Sequence, residues 1–224
     1  MSLGSIYFTF LIVILFHRFY YSSGDNKKLW NDLGVRHSHA NVLLNAPIPH
    51  PIDPSRRLEI IPDVVHVFKC LVHGWINNKI IELPDTIIKR NGLSSSMVDV
   101  KHLTDLVRYE EECQLKMACG LKLEDVEFSK PMSSFDKMKV GNATKYVNYT
   151  AAASLRFYSD ECGRKDVLTT AFFIQCVNDW FGLMTSRTTA LALSLTNENA
   201  YVQTLAARLI DRTNTKQCKN TIAF

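Results

Sequence analysis

The sequence predicts a mainly α protein with a small α/β portion on its N-terminal side. Three observations carry this. Over long stretches of the second half, apolar residues recur at three- and four-residue steps, as one face of a helix requires. The short strand-like run Leu58–Ile61 falls in the first third. The chain has 224 residues, of which 46% are hydrophobic. That is enough to bury one good domain or two small ones, and it excludes a compositionally disordered chain.

Net charge is +4. A mildly basic balance is compatible with nucleic acid without demanding it. The basic clusters are short: Lys27-Lys28, Arg56-Arg57, Lys89-Arg90 and Lys137/Lys139. Six cysteines stand at positions 70, 113, 119, 162, 176 and 218, with no Cys-x-x-Cys pair and no zinc spacing. They read as reduced, partly buried thiols.

In chain order, residues 6–16 form an unbroken apolar run closed by His17-Arg18. Eleven residues fall short of the roughly 20 that a membrane span needs. A signal- or anchor-like segment, a buried strand and a start foreign to the rest of the chain all remain open. Asn26–Val35 reads as a helix with Leu29, Trp30 and Leu33 on one face and Gly34 at its end. Residues 46–57 are a proline-rich linker, and Leu58–Ile61 is a short strand closed by Pro62. Asp63 is the N-cap of a helix whose stripe is Val64, Val67, Phe68, Leu71 and Trp75. His66 on it reads as a buried, hydrogen-bonded structural residue, with a DNA- or metal-proximal role as the alternative. Residues 76–96 are turn-rich, and Val98–Met117 is a helix with Val100, Leu103, Leu106 and Val107 inward. Glu110-Glu111-Glu112 on it reads as a solvated face.

Lys137 and Lys139 flank Met138 before one continuous helix on which Val140, Ala143, Val147, Ala151 and Leu155 share a face. Lysines so placed can pair with a phosphate, the helix-start amides adding positive field. Asp166 to about Thr185 is a strongly apolar core helix, and Glu198–Asp211 a last amphipathic one. The tail from Thr213 is polar. Two sequons, Asn142-Ala-Thr144 and Asn148-Tyr-Thr150, are chance matches in this reading.

Taken co-linearly, Lys101–Glu112, Leu121–Val126, Phe135–Val140 and Phe172–Arg187 resemble the P element-type DNA transposases, and specifically the helical GTP-binding insertion domain inside their RNase H-like nuclease fold. The resemblance covers about residues 26–190. It implies a mainly α chain, in which a helical insertion domain follows a small α/β remnant of the RNase H-like fold. The implied division is an apolar N-terminal segment (1–25), an RNase H-like remnant (26–75), the insertion domain (76–212) and a tail (213–224).

The resemblance also assigns residues. Lys122 matches a lysine near the nucleotide phosphates and joins Lys137 and Lys139. Val140 matches a position that packs on the purine face. Asn148 stands where relatives place a serine. Relatives show Asn-x-x-Phe-Asp-x-x-Asn-Ser-Arg where this chain has Asn178, Phe181, Gly182, Thr185, Ser186 and Arg187. The lost aspartate is the natural guanine reader, because a carboxylate accepts two hydrogen bonds from the guanine edge. Its loss should cost on the order of 2–4 kcal/mol of nucleotide affinity. Relatives also show Asp-x-x-His-x-x-Lys then Arg-Asn; here Asp63, His66 and Lys69 stand, followed by Val72-His73.

The expected function is an ancestral role in GTP-dependent DNA transposition in the nucleus, in a truncated, degenerate copy. GTP is the implied cofactor, weakened by Gly182. DNA is the implied partner, and a homo-oligomer is compatible. Nuclease chemistry needs a carboxylate cluster holding two metals. The matching positions near Tyr20–Ser23 carry none, so neither Mg²⁺ nor strand cleavage is expected. The alternatives are a nucleotide- or DNA-backbone-binding protein without chemistry, and a secreted or membrane-tethered protein directed by residues 6–16.

Overall fold

The computed structural model describes residues 48–49, 52, 57–58, 63–118, 120–127 and 133–188. Readings on the first 47 residues, on residues 198–211 and on the tail lie outside these. The described chain is mainly helical with two small antiparallel ribbons. From the expected linker into the first residue of the expected strand, β1 (Ile48–Pro49) pairs with β2 (Arg57–Leu58); residues 59–61 of that strand lie outside the described residues. The residues Phe68–Gly182 form one compact unit; the other described residues belong to a second.

Helix α1 (Val64–Asn78) starts where Asp63 offers its Oδ1 to the Val65 amide at 3.0 Å. It ends at Lys79, whose backbone takes the left-handed φ of 67°. Phe68, Leu71, Val72 and Trp75 on it are buried. His66 is exposed, against the buried role expected for it, because it lies off that stripe.

The turn-rich reading of residues 76–96 missed two elements. These are β3 (Ile80–Glu82) and α2 (Asp85–Asn91), the latter closed by Gly92 at φ 60°. β3 pairs with β4 (Met97–Asp99), with Ile81 opposite Val98. Both of those face the core, while Ile80 and Met97 face out. β4 takes the expected start of the next helix, so α3 runs only from Lys101 to Glu112. Leu103, Leu106 and Val107 are buried as expected. Glu110 is a correction: it is buried, and its Oε1 accepts the Ala118 amide at 2.7 Å. The carboxylate pins the chain that leaves α3 instead of facing water.

A short turn of helix, α4 (Leu123–Val126), is tied back when the Thr104 hydroxyl donates to the Val126 carbonyl at 2.8 Å. Then come α5 (Ser134–Met138), α6 (Val140–Tyr146) and α7 (Tyr149–Cys162). The single helix expected after Lys139 is therefore two helices. Val147 is extended, and Asn148 caps α7 by accepting the Ala151 amide at 2.8 Å. Its amide also donates to the Thr144 and Lys145 carbonyls, each at 2.9 Å. One asparagine thus closes one helix and opens the next, a competition that apolar periodicity does not register.

Helix α8 (Val167–Met184) is the core helix that the sequence predicts. It is long and apolar enough to cross a membrane by length and composition. Here Ala171, Phe173, Ile174, Val177 and Trp180 are buried against the rest of the unit. The Trp75 indole meets Phe173 edge-on, centroids 5.4 Å apart, and donates to the Val98 carbonyl at 3.2 Å.

Polar groups fix the start of α8. The His102 ring lies 2.8 Å from the Thr170 hydroxyl and 3.2 Å from Asp166 Oδ2. Arg164 bridges Asp105 at 2.7 Å and Asp166 at 2.6 Å. Burial pushes the His102 pKa below its ordinary value, against the pull of Asp166. Arg164 already engages that carboxylate and adds a positive charge of its own beside the ring, so Asp166 offsets the burial only in part. The unfolded chain takes up a proton near the ordinary histidine pKa where the folded chain resists it. Stability is therefore full above about pH 6.5 and falls on acidification. Denaturant unfolding between pH 7.5 and 5 should show this decline, and His102→Gln should reduce its slope; a flat or opposite trend contradicts it. Separately, Asn148→Ala should cost about 1 kcal/mol in unfolding at neutral pH, and an unchanged midpoint would show that the α6–α7 joint does not depend on this side chain.

Candidate functional site

The expected site residues sort into three places. Lys137, Lys139 and Val140 lie on the turn between α5 and α6. Asp136 lies 3.4 Å from the Lys139 ammonium, and Ser133 donates its hydroxyl to the Asp136 carboxylate at 2.6 Å. The Ser133 bond, with Lys139 adding to it, holds the Asp136 carboxyl below the usual range, so the aspartate stays ionised beside the lysines. Lys139 is half-exposed and Met138 strongly exposed, so this turn faces solvent.

Lys122 and Asn148 are held at the opposite end of α6. Lys145 donates to Asp125 Oδ1 at 3.0 Å and the Tyr146 hydroxyl to the Asp125 carbonyl at 3.0 Å, which ties α4 to the last turn of α6. Lys122 precedes α4, is mostly exposed and pairs with Glu124 at 3.4 Å. Six residues of helix separate Lys139 from Lys145, about 9 Å along the axis. Asn148 spends both ends of its amide on capping. Asn142, the other sequon asparagine, donates to the Asp136 carbonyl at 3.1 Å.

Asn178 and Phe181 lie one turn apart on α8, both half-buried. One face of the Phe181 ring is stacked on Phe68, centroids 4.0 Å apart and planes 17° from parallel. A Cβ built on Gly182 would meet nothing within 4 Å. The place where relatives carry aspartate is therefore sterically open.

Helix α1 joins the first of these places to the third. Phe68 stacks on Phe181, while the next residue, Lys69, donates its ammonium to the Met138 carbonyl at 3.1 Å. One turn further, His73 Nε2 lies 3.1 Å from the Lys137 carbonyl. Burial, offset in part by that bond, lowers the His73 pKa, and the charges of Lys137 and Lys69 lower it further. The ring is accordingly neutral, with Nε2–H donating to the carbonyl. Sequence reasoning placed Lys69 in a family motif but did not find its contact, nor that of His73. Their i, i+4 spacing on α1 was the available signal. Among the described residues, no three His, Cys, Asp or Glu side chains gather into a metal site.

Comparison with known proteins adds one finding. Residues 84–194 match the family described as TNP-like, GTP-binding insertion domain. No curated protein and no solved structure matches the chain. The match takes in α2, β4 and α3 to α8, and with them the α5–α6 turn, so it includes the elements that carry the lysines and Phe181. Over that stretch the chain matches the TNP-like, GTP-binding insertion domain, consistent with a fragment of a P element-type transposase.

Proposed function

We propose that the helical unit binds a purine nucleoside triphosphate, with Lys137 and Lys139 on the phosphates and the purine between Phe181 and Val140. The observation that carries this is the double engagement of α1. Adjacent residues of that helix touch the Phe181 ring and the lysine turn, so an aromatic platform and a cationic turn share one support. A phosphate chain and a purine ring need just those two surfaces, one charged and one flat. Asn178, one turn before Phe181, is a hydrogen-bonding group on the same side of α8. Lys122 and Asn148 take an indirect part, through the α4 tie and the helix joint.

Guanine selectivity is weak in this reading. Gly182 offers no acceptor to the guanine N1–H and N2–H₂ edge. The domain is accordingly a nucleotide-binding remnant of a transposase whose ancestral setting was GTP-dependent DNA transposition in the nucleus, with DNA as the partner. The reading is one of binding, without strand cleavage and without a retained Mg²⁺ site.

Calorimetry with GTP and ATP tests it. The protein as it stands should bind both within a few-fold of each other, and Lys139→Ala should weaken both. Gly182→Asp has room for its side chain and should improve GTP over ATP by at least about thirtyfold, the low end of what a charged bidentate pair contributes. Absence of binding for both nucleotides at millimolar concentration removes the nucleotide reading. Guanine selectivity already present in the unaltered protein removes the role given to position 182.

A further inference from the structure

We infer that Lys69 and His73 are positioning residues for the lysine turn. They grip the backbone of residues 137 and 138 and so set the direction in which Lys137 and Lys139 point. The inference rests on the nucleotide reading above for its functional meaning, and on hydrogen bonds alone for its geometry.

The turn joins two short helices. Helix α5 has five residues and α6 seven, both far below the length at which a helix is stable alone. The last carbonyls of α5 have no partners within the helix. Two of them, Lys137 and Met138, are instead met by side chains one turn apart on α1, His73 at 3.1 Å and Lys69 at 3.1 Å. Alternate support comes from the turn itself, where the Lys139 amide donates to the Asp136 carbonyl at 3.2 Å. The grip therefore comes from a long, well-buried helix that is separate in sequence.

Lys69 also does electrostatic work. Carbonyls at a helix C-terminus carry partial negative charge. Left bare beside Lys137 and Lys139, they would repel an approaching phosphate. The Lys69 ammonium covers the Met138 carbonyl and brings a third cation to the turn. His73 contributes differently, being neutral and buried, with Nδ1 lacking any hydrogen-bond partner. An apolar side chain would fill that space without stranding a nitrogen. What the imidazole supplies in exchange is its bond to the Lys137 carbonyl.

Hydrogen–deuterium exchange and GTP calorimetry on the full chain separate the possibilities. Lys69→Met and His73→Leu should raise amide exchange at least tenfold in residues 134–142 and leave α8 unchanged. Both should weaken GTP at least tenfold. His73→Leu changes no charge, so its effect isolates positioning from electrostatics. His73→Gln, which keeps a donor, should restore both readouts. Unchanged exchange in 134–142, or an equal rise throughout the unit, overturns the grip. Faster local exchange with unaltered GTP affinity overturns its functional meaning. Faster local exchange in a protein that never bound GTP leaves the grip standing and removes the nucleotide reading instead.

Discussion

The helical unit depends on the burial of one helix against partners distant in sequence. Phe68, Leu71, Val72 and Trp75 give α1 an apolar stripe with almost no exposed surface. Each large side chain buried this way contributes about 1.5–3 kcal/mol, and the stripe holds four. Trp75 adds specificity, since its indole N–H must reach the Val98 carbonyl to avoid a buried unpaired donor. That one bond fixes the rotation of α1 against β4. With the rotation fixed, Phe68 and Lys69 follow, and so does everything they touch.

Polar ties then connect the short elements that apolar burial alone would leave loose. Asp125 receives the Lys145 ammonium and offers its carbonyl to Tyr146. Thr104 reaches Val126, and Glu110 reaches Ala118. Arg164 and His102 join α3 to the start of α8. These bonds are satisfied pairs, so their chief effect is to exclude other arrangements of the same apolar surfaces. The nucleotide binding proposed above would need that exclusion more than raw stability. A phosphate is recognised by groups held in place, and ordering them at the moment of binding would subtract from affinity.

The sequence made the core legible where periodicity was long and strong. The stripe of α1, the inward residues of α3 and the whole of α8 follow from three- and four-residue spacing. It failed where a polar side chain overrode that spacing. Asn148 cuts a continuous apolar face in two because its amide offers the backbone an alternative to the helix. Glu110 sits in a run of three glutamates that looks solvated, yet a loop eight residues on claims its carboxylate. The three-residue strands β3 and β4 are too short to show alternation. The candidate site was partly legible. Lys137 and Lys139 were named from their place before a helix, and Lys122, Val140 and Phe181 from resemblance, while the α1 contacts at the lysine turn span more than sixty residues.

The interruption at Val147–Asn148 has an architectural effect. Had α6 and α7 been one rod, the lysine turn would be anchored by more than twenty residues packed elsewhere, and it would inherit their rigidity. Severed at that point, α6 is a seven-residue helix, tied at its last turn to Asp125 and preceded by an α5 whose end α1 holds. Its placement then depends on side chains that other helices supply at both ends. The orientation of the cations in such a fold is borrowed from its neighbours, not intrinsic to the segment that carries them.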